Sequence, residues 1–364
     1  MMGNYRVRFL GEGTAVTLVP LPGGKCAVHR GKQGTVLLSS LLALGITPII
    51  FAAANPRVVT TIRVGSLPNG VVVDSTIHRA YIANAGSNNV SVIDTDNNTV
   101  VATVRVGAYP LGVAVNPDTH RVYVANSSSR SVSVIDTRSN TVLASIDVGL
   151  SPQTVAINPA AHRAYVTNGD SDSVSVIDTR SNMVVTTISF VRGTNPSSVV
   201  VDPATQRAYI TGRLVDTVSV IDMRSNTIVA SIHVGVFPNS IAVNIATHRA
   251  YVANKGSSNL SPTDPRGNSI SVIDTRSNTV IATVHVGSMP SSVVVDPVTH
   301  QAYVTNFFSK NVSEIDTRSN TVVATIRVGT QPYGVGINST THRVYVGNNG
   351  SRNVSVIGTE DNQT

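Results

Sequence analysis

One tyrosine-containing segment recurs along this chain at a nearly constant interval, and this repeat limits the possible folds more than any other feature. Its tyrosine falls at seven positions: Tyr81, Tyr123, Tyr165, Tyr209, Tyr251, Tyr303 and Tyr345. The spacings are 42, 42, 44, 42, 52 and 42 residues. A period of about 42 residues is typical of the four-stranded blade of a β-propeller. The long spacing comes from an insertion in a single loop, at 255–268.

Each repeat divides into four short apolar or alternating runs bounded by turn residues, as expected for β-strands. In the second repeat these runs are 112–116, 121–126, 131–136 and 141–148, which we call strands a, b, c and d. In a propeller built from such blades, the a–b and c–d turns lie on one face of the disc, which we call the lower face. The b–c loops and the d–a connections between blades lie on the other, the upper face.

The two ends of the repeat region complement each other. The region begins with a single d-like run at 57–64, and the last repeat stops after its c-strand at 354–358. We therefore predict an all-β, seven-bladed β-propeller with four antiparallel strands per blade. Its N-terminal d-strand pairs with the last blade, which closes the ring and removes the exposed edges of an open array.

An uncharged apolar run precedes the repeats, at 34–54. Lys25, Arg30 and Lys32 lie before it, and three alanines end it at 52–54. This pattern predicts a secretory signal peptide cleaved before Asn55, or an uncleaved membrane anchor, since 21 residues can span a bilayer. The predicted regions are an extension or n-region at 1–33, the apolar segment at 34–54, and the propeller at 55–364. We expect the propeller to be secreted, periplasmic or on the cell surface, with membrane contact only through 34–54.

Charge and cysteine content narrow the possible partners. The net charge of +7 falls to a balance of 22 basic and 19 acidic groups in residues 55–364. A nucleic-acid partner is therefore possible but weakly supported, because steering a polyanion needs clustered charge. The single cysteine, Cys26, lies before the apolar run, so the propeller itself contains no disulfide.

The repeat also carries a family signature. The word Y-V-T-N stands at 165–168 and 303–306, and Y-V-A-N or Y-I-A-N stands at 81, 123 and 251. Over residues 57–358 the chain resembles the YVTN-family β-propeller repeat proteins of bacterial and archaeal envelopes and surface layers. The resemblance implies an extracytoplasmic propeller, but that family has no single shared activity. Blade four (Tyr209 to Gly212) and blade seven (Tyr345 to Asn348) depart from the word, and Gly358 replaces the c-strand aspartate.

Three repeated polar side chains suggest chemistry but are explained better by structure. Six histidines occupy one a–b turn position in six blades, too far apart to share a metal ion. Six aspartates that end strand c suit the capping of the c–d turns. The arginines of both turns form either a cationic lower face or local pairs with these aspartates, and we favour the pairs. The sequence predicts no metal and no cofactor.

Signatures of known catalytic motifs are absent from residues 55–364. One acid is unusual, because Glu314 stands where other blades have the second valine of V-S-V-I-D. An ionised carboxylate there needs a partner or solvent. We expect a partly solvated substitution near Lys310, with a buried functional acid as the alternative.

Function is best sought where the blades differ, in the d–a and b–c loops. These loops contain aromatic and arginine side chains amid Ser, Gly and Asn, as protein-recognition surfaces do. The b–c loops add Asp170, Asp172, Arg213, Asp216 and Lys310 to the insertion at 255–268. The predicted binding residues are Tyr109, Arg192, Asn195, Phe237, Met289, Tyr333, Phe307 and Phe308.

The leading hypothesis is a non-enzymatic, monomeric binding scaffold for a protein or a cell-envelope polymer. The alternative is a lactonase-like hydrolase that uses the channel mouth, since some bacterial lactonases resemble this family in fold. Its candidate groups are Asn195, Asn239, Arg192 and Asp216. An accessory role in periplasmic redox chemistry has no ligand motif in its favour.

Overall fold

The computed structural model describes residues 55–256 and 267–359, together with three N-terminal strands. These strands, Arg6–Val7, Val16–Leu21 and Lys25–His29, form a small antiparallel sheet of their own. The predicted signal or anchor segment at 34–54 lies outside the described residues. Within the described part of the chain, no helix has the length and apolar character needed to cross a membrane.

The repeat region forms seven four-stranded antiparallel sheets, each in the order a–b–c–d, as predicted. Strands a are Pro68–Asp74, Pro110–Asn116, Pro152–Asn158, Pro196–Asp202, Pro238–Asn244, Pro290–Asp296 and Pro332–Ile337. Strands b are Arg79–Asn84, Arg121–Asn126, Arg163–Asn168, Arg207–Gly212, Arg249–Asn254, Gln301–Asn306 and Val344–Asn348. Strands c are Asn89–Asp94, Ser131–Asp136, Ser173–Asp178, Thr217–Asp222, Ser269–Asp274, Asn311–Asp316 and Asn353–Gly358. Strands d are Thr99–Arg105, Thr141–Asp147, Met183–Ser189, Thr227–His233, Thr279–His285, Thr321–Arg327 and, from the N-terminal side, Arg57–Arg63.

Helical structure within the described propeller is limited to single 3₁₀ turns in connections. They are Ala85–Ser87, Pro117–Thr119 and Gly169–Ser171.

The predicted closure is confirmed. Arg57–Arg63 pairs antiparallel with Asn353–Gly358, with Ile62 opposite Val354. Ile62 is buried in a cluster that includes Tyr345 and Val356 of blade seven. Strand Arg57–Arg63 thus completes the sheet of blade seven and helps to shield the apolar face of that sheet from water.

The repeated tyrosines lie between blades, where the core is. Six of the seven are fully buried, and Tyr303 is nearly so. The hydroxyl of Tyr345 in blade seven donates to the carbonyl of Thr95 in blade one, at 3.4 Å. Burial raises the pKa of Tyr345 to about 12. Each repeat therefore packs its tyrosine against the next blade, which explains why the residue recurs.

The asparagine that ends strand b also has a structural role. Asn84 donates from Nδ2 to Ser91 Oγ at 2.9 Å, and the same bond recurs in every blade except blade four, where Gly212 replaces asparagine. A Cβ at Gly212 would lie 2.8 Å from Val215 and 3.0 Å from Thr194. Side chains of the b–c loop and of the longer d–a loop of blade four fill this space, so the departure from the family word has a steric cause.

The lower face is built by turn chemistry, as the sequence predicts. The carboxylate of Asp94 accepts from two backbone N–H groups of its c–d turn, at 3.0 and 3.2 Å, and the other five aspartates do the same. All six turn histidines have left-handed backbone, with φ between 51° and 57°. The predicted arginine–aspartate pairs are confirmed in part. Among the described residues Arg79 pairs with Asp94, Arg163 with Asp178 and Arg207 with Asp222, whereas Arg121 and Arg249 donate to the carbonyls of Thr179 and Thr317 in the next blade, each at 2.7 Å.

Glu314 differs from its expected environment. Its side chain is 8% exposed, so the expectation of a partly solvated position is wrong. The hydroxyl of Tyr303 donates to Glu314 Oε1 at 3.4 Å. Burial, followed by the charge of Glu314, raises the pKa of Tyr303 above its usual range. This acid is buried because the repeat places position 314 on the face of the sheet that packs between neighbouring blades.

Candidate functional site

The d–a connections share an uncommon backbone geometry on the upper face. In each blade the residue before the first proline of strand a has left-handed backbone, with φ between 47° and 60°. These seven residues are Leu67, Tyr109, Ser151, Asn195, Phe237, Met289 and Gln331. A left-handed backbone is costly for large side chains, so strong local contacts must hold it.

Two sets of hydrogen bonds supply those contacts. The carbonyl of each left-handed residue accepts from the first residue after strand b, as for Lys255 N to Phe237 O at 3.1 Å. In several blades its N–H donates to a side chain of the preceding b–c loop, as from Phe237 to Asp216 Oδ1 at 2.8 Å. Asp172 holds Asn195 in the same way at 2.7 Å. The two carboxylates therefore fix the loops that carry the site.

The first residue after strand b differs between blades in a patterned way. In order along the chain the residues are Ala85, Ser127, Gly169, Arg213, Lys255, Phe307 and Asn349. Blades one to three have small residues here, whereas blades four and five have cations and blade six has an aromatic ring. Equivalent backbone bonds hold all seven, so the fold does not require the difference.

Arg213 and Lys255 meet over the ring of Phe237, and we call these two side chains the cation pair. Arg213 Cζ lies 5.4 Å and Lys255 Nζ 5.9 Å from the ring centroid. Both distances are within the range of cation–π attraction. Arg213 also donates from Nη2 to Asn239 Oδ1 at 3.0 Å and from Nη1 to Asn195 Oδ1 at 3.5 Å.

The cation pair lies in an environment that disfavours positive charge. Burial lowers the pKa of Arg213, and Tyr333 and Asp170 partly offset that effect. Burial, followed by repulsion from Arg213, lowers the pKa of Lys255 to about 8. Among the described residues neither cation has an ion-pair partner, and Arg213 Nε is buried without a hydrogen bond. Within the described part of the chain, the two cations thus lie together without a carboxylate paired to either.

A cavity of about 230 Å³ opens at the upper end of the central channel. The second residue of each strand a lines it, and these are Asn69, Leu111, Gln153, Ser197, Asn239, Ser291 and Tyr333. Arg213 is the one charged side chain among the described lining residues. Several lining donors are already used within the ring, as where Asn239 Nδ2 donates to Ser291 O at 2.6 Å.

An aromatic cluster lies beside the cavity in blades six and seven. The ring of Phe307 meets the rings of Phe308 and Tyr333 edge to face, with centroids 5.3 and 6.3 Å apart. Phe308 is 63% exposed, an unusual position for a large apolar side chain. The cluster therefore presents apolar contact area next to the mouth of the cavity.

The structure brings together five of the eight residues predicted from the sequence. Tyr333 lines the cavity, Asn195 and Phe237 contact Arg213, and Phe307 and Phe308 join the aromatic cluster. Tyr109 and Arg192 are exposed and Met289 is half-buried. No hydrogen bond or ring contact described here joins these last three side chains to the cation pair.

Sequence reasoning did not single out Arg213 and Lys255 as site residues. Both were visible only as members of variable loops. A signal was present, because aligning the repeats on strand b shows two cations in adjacent blades at a position that is otherwise uncharged. Asn239, considered for the hydrolase alternative alone, contacts Arg213.

Comparison with known proteins supports the fold. No protein-family model and no curated protein sequence matches the chain. Among solved structures the chain is similar to one described as hydrazine synthase from Kuenenia stuttgartiensis, with a TM-score of 0.73 and 22% identity. The match covers 80% of this chain and 96% of that one. At this identity the likeness shows the β-propeller fold alone, and YVTN-family membership stays a prediction.

Proposed function

We propose that this protein is a non-enzymatic, extracytoplasmic binding module that holds a protein or a cell-envelope polymer on its upper face. The proposed location follows from the basic and apolar segments that precede the propeller in the sequence. The seven-bladed scaffold presents loops from every blade around one cavity, an arrangement suited to binding.

One observation carries this proposal: the upper face is chemically asymmetric although its backbone is symmetric. Arg213 and Tyr333 line the cavity, with Lys255 and Phe307 in the neighbouring blades beside them, while blades one to three have small residues after strand b. Exposed aromatic and arginine side chains are enriched at recognition surfaces. Folding alone does not select for such side chains, so they favour a bound partner.

The hydrolase alternative has less support from the same geometry. Hydrolysis needs a group that activates water, such as a carboxylate, a histidine or a metal-bound hydroxide. Among the described residues that line the cavity, none is Asp, Glu or His. Asp216, the one acid predicted for this role, accepts the N–H of Phe237.

The test is capture of envelope components by the immobilised full chain and by two double variants. F237A/Y333A removes aromatic contacts from the upper face, and R138Q/R180Q removes exposed charge from the lower face. We expect F237A/Y333A to lose capture and R138Q/R180Q to retain it. Circular dichroism should show that both variants are folded. Equal capture by wild type and F237A/Y333A, or loss in R138Q/R180Q alone, would contradict the proposal.

A further inference from the structure

We propose that the cation pair, of which Arg213 lines the cavity, is a binding site for an oxyanion, the carboxylate or phosphate group of a ligand or partner. The inference rests on the proposed function, because it names the chemistry that the upper face recognises. Nothing in the comparisons assigns such a site.

The two positive charges are placed unfavourably. Burying a cation costs free energy unless a counter-charge or hydrogen bonds compensate it. Arg213 donates to two amide oxygens and lies against an aromatic face, and among the described residues the Lys255 side chain contacts the aromatic face of Phe237 alone. An oxyanion between them would neutralise the repulsion and supply acceptors.

The hydrogen-bond donors around the cavity are unevenly used. Neutral lining donors are largely used inside the ring: Ser197 Oγ bonds Thr211 at 2.7 Å, and Ser291 Oγ donates to Met289 O at 3.1 Å. The two cations retain N–H groups for which the described residues supply no acceptor. The unused capacity of the site is therefore cationic and donor-only, which selects an anionic acceptor.

Backbone hydrogen bonds fix the positions of the two residues that carry the cations. Arg213 N bonds Asn195 O at 3.2 Å, and Lys255 N bonds Phe237 O at 3.1 Å. The backbone N–H of Phe237, whose ring lies against both cations, donates to Asp216 Oδ1 at 2.8 Å. Preorganised donors lose less entropy on binding than flexible surface lysines do. The aromatic face against both cations distinguishes the pair from Lys310, an exposed lysine of the b–c loop in blade six.

The size of the cavity limits what enters it. A volume of about 230 Å³ is below the usual range for drug-sized ligands. The site thus accepts a small acid, or one acidic terminal group of a larger partner. The aromatic cluster would then contact the part of the partner that remains outside the cavity.

The test uses the lysines of the chain as reporters. Residues 55–364 contain two lysines, Lys255 and Lys310, so one sample holds both the reporter and its control. The full chain is trace-labelled with acetic anhydride, a neutral reagent, over a range of pH, and each lysine peptide is quantified by mass spectrometry. Inorganic phosphate and glucuronate are the probes, with chloride at matched ionic strength as reference.

We expect either probe to slow acetylation of Lys255 several-fold and to move its pH midpoint upward, with Lys310 unchanged. The stronger probe indicates whether the site prefers phosphate or carboxylate. R213Q should reduce the protection, whereas R130Q, which removes an exposed arginine of the same face in blade two, should preserve it. If R213Q does not fold, the comparison of the two lysines in wild type still decides.

Acetylation of Lys255 that is identical in chloride, phosphate and glucuronate would overturn the inference. Equal slowing of both lysines would also overturn it, because it would reflect general screening. The result is separable from the envelope-capture test. Capture without Lys255 protection would leave the proposed function standing, and protection without capture would leave only the anion site.

Discussion

Arg213 and Lys255 occupy the same position of the repeat in adjacent blades, and both side chains lie over one aromatic ring. The fold gives this position a common backbone bond in all seven blades, so the side chain is free to vary. Blades four and five use that freedom to concentrate charge beside the cavity. The molecule thus adds a local chemical difference to a nearly uniform scaffold.

Replacing Phe237 with leucine should destabilise the protein by about 1–2 kcal/mol, because the ring's attraction for two partly buried cations is lost. The backbone tolerates leucine, since Leu67 has φ 52° at the equivalent position of blade one. Denaturant unfolding measures the change. F308L is the matched control, because the exposed Phe308 contacts no cation within the described structure, and its stability should stay near that of wild type.

The contribution of Lys255 to the free energy of unfolding should rise with pH between about 8 and 10. The pKa of Lys255 is about 8 in the folded protein and about 10.4 in an unfolded chain. In this window Lys255 binds more protons in the unfolded state, so its contribution increases with pH. Buried tyrosines such as Tyr345, whose pKa is raised in the folded protein, contribute with the opposite sign near pH 10, so the effect of Lys255 is read as the difference from K255M. The titratable group that acts on Lys255 is Arg213, and those that act on Arg213 are Tyr333 and Asp170.

The variant K255M should be more stable than wild type near pH 7, with a smaller difference near pH 10. Denaturant unfolding of both proteins at the two values measures this. K310M serves as the control for loss of one exposed positive charge. A wild-type profile that K255M leaves unchanged would show that Lys255 is not the titrating group.

Ring closure should make Ile62 as important as its counterparts inside the repeat. Ile62 and Ile146 are both 6% exposed and occupy equivalent positions of strand d. We expect I62A and I146A each to cost about 2–5 kcal/mol, as buried large-to-small changes do. V101A, at a residue that is 49% exposed, should change stability little. A silent I62A would mean that Arg57–Arg63 does not complete blade seven in solution.

Replacing Glu314 with valine should raise the free energy of unfolding at neutral pH by about 1–4 kcal/mol. Valine fills this position in every other blade, and replacing buried charge by a fitting apolar side chain is often stabilising. Thermal and denaturant unfolding test this expectation. If E314V instead loses envelope capture while its stability rises, Glu314 is a functional acid. A loss of stability would show that its partners, Tyr303 among them, more than offset its burial.

The sequence predicted the blades, the closure and the lower face because each depends on local or periodic information. A tyrosine every 42 residues, a lone strand at each end and an aspartate before each turn are visible without coordinates. The cation pair was not predicted, because it forms only when adjacent blades bring Arg213 and Lys255 to one ring. Phe237 and Tyr333 were predicted as recognition residues because they are aromatic residues in variable loops. The same criterion also led to Tyr109, for which no contact with the cation pair is described.

The measurement that most directly tests upper-face binding is site-specific photocrosslinking to the native envelope. A photoreactive phenylalanine would replace Phe308 on the upper face, Val298 in a lower-face turn or Met183 on an outer strand, residues that are 63%, 66% and 64% exposed. Because exposure is matched, differences in crosslinking report on contact. We predict one recurring envelope crosslink from position 308 and none from positions 298 and 183. Crosslinks from 298 or 183, with none from 308, would contradict the account.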